Sequence, residues 1–154
     1  MTIAWRLVKA SRAADAFTGE GARLAGGRWN QRGTSLVYLS GSLALAALET
    51  FIHLTRHDRP PAFVSFQVHI PDRVVIRTLT SEELPRNWRE EPPPDSTKAI
   101  GSLSASQQTE ALLRVPSVIV PSEYNLLLNP RHPEAARLTI SEPESFSFDP
   151  RLWK

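Results

Sequence analysis

Apolar and polar side chains alternate most regularly between Phe63 and Ile70, where Val64, Phe66, Val68 and Ile70 interleave with Phe63, Ser65, Gln67 and His69. A period of two predicts a strand. Ile3 to Val8 (IAWRLV) has the apolar richness of a second strand, with Arg6 as its only charge. Ser35 to Leu39 (SLVYL), introduced by a turn at Gly33, predicts a third. Ser42 is then suited to cap a helix running from Leu43 to about Thr55. Between the first two patterned stretches, residues 10 to 27 are small, Gly-containing and irregular, which predicts a long loop.

Further along, Pro71-Asp72 marks a turn into a strand from Val74 to Thr78. Thr80 and Glu83 have the spacing of a capping box, cut short by Pro85. Asn87 to Asp95 contains three consecutive prolines and predicts a loop, with Asp95 capping a helix from Ser96 to about Ser106. Leu112 to Val120, split by Pro116, predicts extended backbone, and Ser122 a short helical turn before Asn129-Pro130. Leu138 to Ser141 and Phe146 to Phe148 predict closing strands. Strands and short helices without a regular βαβ alternation point to α+β: a single domain, residues 1–154, with a mixed, mostly antiparallel sheet.

Composition narrows the function classes. A chain of 154 residues with 41% apolar and 22% charged residues suits one globular domain. No apolar run is long enough to span a membrane, and Arg6 and Lys9 interrupt the start where a signal peptide needs an apolar core. With no cysteine there is neither a disulfide nor a thiolate nucleophile, in keeping with a cytoplasmic location. Fifteen of the 18 basic residues are Arg, a ratio that a GC-rich genome accounts for. The distribution is more informative. From Gly21 to Leu48 there is no acid, while Arg23, Arg28 and Arg32 cluster around Gly26-Gly27. An arginine fork grips phosphate with paired hydrogen bonds.

Against that acid-free stretch, Glu49 stands out in the apolar run LALAALETF. From spacing alone, Glu49, Thr50, His53 and Arg56 form one solvated stripe of an amphipathic helix; alternatively Glu49 lies at a pocket rim, where a carboxylate can stabilise a sugar oxocarbenium ion. Arg6 within an apolar strand needs either a partner or a wet cleft. Arg28 in GGRWN can bind phosphate or sit exposed on a hairpin turn, Trp29 can stack or pack, and Tyr38 can stack on a planar ring or fill the core. Pro116 and Pro121 hold Ser117 on rigid backbone, and Asn125 and Asn129 can make local hydrogen bonds. His53 and His57 stand four apart without an HExxH pattern, so no metal is expected. Ser117 lacks a G-x-S-x-G elbow, and neither a P-loop nor a dinucleotide fingerprint is present.

Taken in order, WRLV, GARLAGGRWNQRGTSLVYLS, SLALAALE, VPSVIVPSEYNLLLNPRHPEA and FDPRLW resemble the RES domain, the toxin half of RES–Xre toxin–antitoxin pairs. The resemblance covers nearly the whole chain, residues 80 to 110 least. It implies a fold like that of the ADP-ribosyltransferases and an enzyme that acts on NAD, by hydrolysis, phosphorolysis or ADP-ribose transfer to a protein. It also implies an antitoxin partner with a helix-turn-helix domain. The matching positions are Glu49, Arg28 and Ser117 as catalytic candidates, and Arg6, Arg28, Tyr38, Ser117 and Asn125 as NAD-binding candidates. On this reading Arg6 and Arg28 clamp the diphosphate, Glu49 faces the nicotinamide ribose, Tyr38 stands beside the nicotinamide ring, and Ser117 bonds the ribose or amide. Two other classes compete: an RNA-binding or ribonuclease toxin, disfavoured by the net charge of only +2 and the lack of stacking aromatics, and a silent interaction domain.

Overall fold

A computed structural model describes residues 1–55 and 62–153. The longest strands are β1 (Thr2–Lys9) and β3 (Phe63–Ile70), antiparallel over all eight positions from Thr2↔Ile70 to Lys9↔Phe63. Helix α1 (Glu20–Ala25) and strand β2 (Val37–Ser40) follow β1; helix α2 (Leu43–Phe51) precedes β3. After β3 come β4 (Ile76–Thr78), helix α3 (Asp95–Gln107), β5 (Leu112–Pro116), β6 (Tyr124–Leu128), β7 (Thr139–Ile140) and β8 (Glu144–Phe146). The strand order is β4-β5-β6-β2-β1-β3-β7, with β8 also pairing β3. Only β4–β5 is parallel, so the fold is α+β with a mixed, mostly antiparallel sheet.

Side-chain alternation sorts the sheet into two buried faces. Val37, Leu39, Leu112, Leu126 and Leu128 pack with Ala4, Val68 and Ile70 on one face. Leu113, Val115 and Leu127 pack with Trp29 and Leu36 on the other, under Ile100 of α3. Burying such side chains contributes roughly 1.5–3 kcal/mol each before entropy is charged against it. A third cluster, Leu7, Ala46, Phe63 and Phe148, fixes α2 to β1 and β3. Phe51 meets Phe148 and Trp153 at ring-centroid distances of 5.4 and 5.0 Å, so the C-terminal FDPRLW segment lies against the end of α2.

Several elements differ from those the sequence pattern predicts. Residues 10 to 27 are not one loop: Ala10–Asp15 is a 3-10 helix and α1 follows, with Arg23 Nε donating to Glu20 Oε2 at 2.8 Å along it. Its flanking Gly19 and Gly26 conceal a helix of only six residues. Tyr124–Leu128 is a central strand rather than the sequel of a helical turn, because Leu126, Leu127 and Leu128 are needed on both sheet faces. Asp95 opens α3 but does not cap it; Pro94 occupies the cap position. Ser42 does cap α2, accepting from the Leu45 amide, yet α2 ends at Phe51, short of Thr55. Thr80 and Glu83 exchange their two capping-box hydrogen bonds around a turn that no helix continues. His57, half of the HxxxH spacing, lies outside the described residues.

Candidate functional site

Strands β1 and β2 share a single register pair, Trp5↔Ser40. Beyond it they diverge, and Arg6 reaches across: its Nη1 donates to the Tyr38 carbonyl at 3.0 Å and its Nε to the Ala16 carbonyl at 2.7 Å. Side-chain hydrogen bonds thus replace backbone pairing at the parting of the sheet. Burial lowers the Arg6 pKa to about 10, opposed by the nearby Asp15 carboxylate.

Around this parting lies a cleft of about 810 Å³. Arg6, Arg28, Tyr38, Glu49 and Asn125 line it, with Ser40 and Glu91. Its volume falls within the range of small-molecule and cofactor sites, roughly 300–1,000 Å³. Among the described residues no group of three or more His, Cys, Asp or Glu comes together that could hold a metal ion.

Glu49, the lone acid of α2, is gripped from one side. Its Oε1 accepts from Ser117 Oγ at 2.7 Å and from Asn125 Nδ2 at 2.7 Å. No hydrogen bond to Oε2 comes from the described residues. Ser117 is fully buried, and its hydroxyl oxygen also accepts from the Ile119 and Val120 amides, each at 3.1 Å. Those two donors fill the acceptor side of the hydroxyl, so its proton is directed at Glu49. The expected contact of Ser117 with a ribose or amide therefore meets a hydroxyl already committed to Glu49.

Arg28 is held by the segment after the Trp88 turn. Its Nη1 donates to the Trp88 and Glu90 carbonyls at 2.9 and 2.8 Å, and its Nη2 is ion-paired with Glu91. Burial lowers its pKa, while Glu49 and Tyr38 pull the other way. The loop beneath is fixed by Tyr38 and Asn30. Tyr38 Oη donates to Asn30 Oδ1 at 2.6 Å and accepts from the Trp29 amide at 3.1 Å. Asn30 Nδ2 donates to the Ala22 carbonyl at 2.8 Å. A Cβ at Gly27 would stand 2.7 Å from Tyr38 Oη, so the glycine is what admits the phenol beneath the loop. Burial drives the Tyr38 pKa well above the usual phenol range, against the Trp29 amide and Arg28. The hydroxyl is thus satisfied while one side of the residue lines the cleft. Trp29 is buried and packs in the core.

The structure therefore brings Arg6, Arg28, Tyr38, Glu49 and Asn125 to one cleft, with Ser117 directly behind Glu49. Sequence reasoning passed over Ser40, whose Oγ donates to Asn125 Oδ1 at 2.7 Å, and Glu91. Ser40 ends the VYLS motif, and no spacing rule connects it to Asn125, 85 residues away.

A curled, mostly antiparallel α+β sheet thus parts around a cleft lined by Glu49, held from one side, and by the part-buried Arg6 and Arg28. The RES domain family model matches residues 3–149, and the chain belongs to the RES domain family. It is 41% identical over 149 residues to "Toxin Res" of Yersinia enterocolitica, covering 96% of this chain and 97% of that one. It is 40% identical over 152 residues to the "Prs ADP-ribosylating toxin" of a Sphingobium species, covering 96% and 94%. The fold is shared with a chain of the M. tuberculosis MbcT–MbcA toxin–antitoxin complex, at TM-score 0.77 and 20% identity, over 99% of this chain and 86% of that one.

Proposed function

We propose that this chain is the toxin of a RES–Xre toxin–antitoxin pair, acting in the cytoplasm by cleaving the nicotinamide–ribose bond of NAD. The observation that carries the reading is the one-sided grip on Glu49: both donors meet Oε1, leaving Oε2 without a hydrogen-bond donor among the described residues, in a cleft wall that Arg6 and Arg28 share. Breaking the C1′–N bond sends its electron pair to the pyridinium nitrogen, releases neutral nicotinamide and leaves positive charge on the ribose. A carboxylate fixed in advance stabilises that charge without reorganising during the reaction. The diphosphate suits Arg6 and Arg28, the latter on exchanging its Glu91 partner for phosphate. Tyr38, held by Asn30 and Trp29, stands beside the nicotinamide. Water or inorganic phosphate then captures the ribosyl cation, water giving up a proton as it adds.

The name of the Sphingobium relative favours a second reading, ADP-ribose transfer to a protein. Cleavage is the same in both; only the acceptor differs. An antitoxin with a helix-turn-helix domain is the proposed partner, silencing the toxin by covering the cleft. The test is chromatography of NAD incubated with the purified chain, with and without phosphate. Nicotinamide released regardless of phosphate means hydrolysis, and released only with phosphate, phosphorolysis. Glu49→Gln, folded by circular dichroism, is expected to lose at least about a hundredfold in kcat; wild-type turnover would remove Glu49 from the mechanism. No nicotinamide from wild type, even with cell extract as a source of acceptor protein, would overturn both readings.

A further inference from the structure

One of the two donors to Glu49, Asn125, is itself held by a second residue of the cleft wall. Ser40 is buried at the end of β2, and its Oγ donates to Asn125 Oδ1 at 2.7 Å. Asn125 faces it in register on β6 and passes its own Nδ2 to Glu49 Oε1 at 2.7 Å. Ser40 makes no contact with Glu49, but it decides what Asn125 can offer.

The chemistry of the three groups leaves one consistent arrangement. An ionised carboxylate only accepts, so Asn125 must present Nδ2 to Glu49. Its Oδ1 then points at Ser40 and requires a donor, which the hydroxyl supplies. Without that hydroxyl the amide oxygen is stranded, and a stranded polar group costs more than the hydrogen bond it lost contributed. The amide can relieve this by turning over, but that sets oxygen against the Glu49 carboxylate. Ser117 is constrained by the same logic from the other side, its acceptor positions taken by the Ile119 and Val120 amides. Each donor to Oε1 is thus itself oriented from behind, one by backbone and one by a single side chain.

We propose that Ser40 is a positioning residue of the NAD site, fixing the amide of Asn125 so that Glu49 is held by Oε1 and presents Oε2 to the substrate. The proposal rests on the reading of Glu49 as the catalytic carboxylate. It requires that Ser40 act through Asn125 and nowhere else.

The experiment compares wild type, Ser40→Ala, Ser40→Thr, Asn125→Ala and the double variant Ser40→Ala/Asn125→Ala by nicotinamide release. Hydrogen exchange of the Asn125 side-chain amide is followed by NMR in parallel. Ser40→Ala is expected to lower kcat about tenfold while KM moves less than about twofold. Ser40→Thr, which restores a hydroxyl, recovers most of the loss. In the double variant, Ser40→Ala costs nothing beyond Asn125→Ala, the signature of one residue acting through another. The Asn125 amide protons exchange slowly in wild type and fast in Ser40→Ala. An additive double variant, or an unchanged amide exchange rate in Ser40→Ala, would overturn the proposal. If Ser40→Ala does not fold, Ser40→Thr against Asn125→Ala decides: a threonine variant as slow as Asn125→Ala despite its hydroxyl overturns it. If wild type releases no nicotinamide, the NAD reading fails on its own, and amide exchange still tests the hydrogen-bond relay.

Discussion

Arg28 and Glu91 are ion-paired at the wall of the cleft, the arginine side chain 12% exposed and the glutamate 69%. A carboxylate thus occupies part of the guanidinium that the proposed diphosphate needs. The pair is lopsided: the arginine is anchored by two carbonyls, and the glutamate is mostly in water. An exposed partner contributes only about 0.2–1 kcal/mol. Glu91→Gln is therefore expected to lower the KM for NAD by about two- to fivefold, with kcat little changed. Initial-rate measurements at low and high salt check this, and the gain over wild type should shrink as salt screens the pair. A raised KM would mean that Glu91 holds Arg28 in place instead of competing for it.

Packing behind the same loop gives a prediction about stability. An added Cβ at Gly101 in α3 would lie 1.8 Å from the Trp29 carbonyl oxygen, and backbone cannot swing aside as a side chain can. Gly101→Ala should cost about 3 kcal/mol, lowering Tm by about 6–12 °C despite the better helix propensity of alanine. Because Trp29 follows Arg28, NAD turnover should fall in whatever fraction remains folded. Gly21→Ala provides the contrast: nothing lies within 4 Å of an added Cβ there, and the change should be neutral or stabilise by up to about 1 kcal/mol. Thermal melts of both variants decide it; equal Tm values would contradict the close approach of α3 to Trp29.

Acid stability is tied to Glu110. Burial pushes its pKa up, but hydrogen bonds from Thr109, Arg77 and Ser104 outweigh burial and leave it below the ordinary value of 4.5. With the folded pKa below the unfolded one, the unfolded chain takes up the proton first as pH falls. The contribution is thus fully present above about pH 4.5 and lost as pH drops through the folded value. Glu110→Gln should be less stable than wild type at pH 7, with a difference that narrows by pH 3. Urea midpoints at the two pH values measure this. A constant difference would mean that Glu110 does not titrate with unfolding.

Much of the site was legible because its chemistry is conspicuous against its surroundings. Glu49 ends an acid-free stretch of 28 residues from Gly21 to Leu48, and Arg6 interrupts an apolar strand. Such residues are costly to bury without partners, and the structure supplies the partners. The strand pattern located β3 by its alternation over eight positions, and β1 by an apolar richness that only Arg6 interrupts. It missed β6, where Leu126, Leu127 and Leu128 are consecutive and buried on both faces, so no alternation remains to be read. It missed α1, whose six residues are too few to display a period. Ser40 and Glu91 escaped for another reason: a serine ending a strand and a glutamate before prolines are ordinary locally, and only the partner across the fold gives them a role.

The single register pair between β1 and β2 divides the molecule mechanically. On one side, β4, β5, β6 and β2 form a continuous ladder; on the other, β1, β3, β7 and β8 form a second. Helix α2 springs from the end of the first and rests by Ala46 against Leu7 of the second, acting as a strap over the join. Arg6 belongs to one half, whereas Tyr38, Asn125 and Ser117 belong to the other. A molecule bound to both would rivet the halves together, so the join that admits a ligand is also the line a ligand stiffens most.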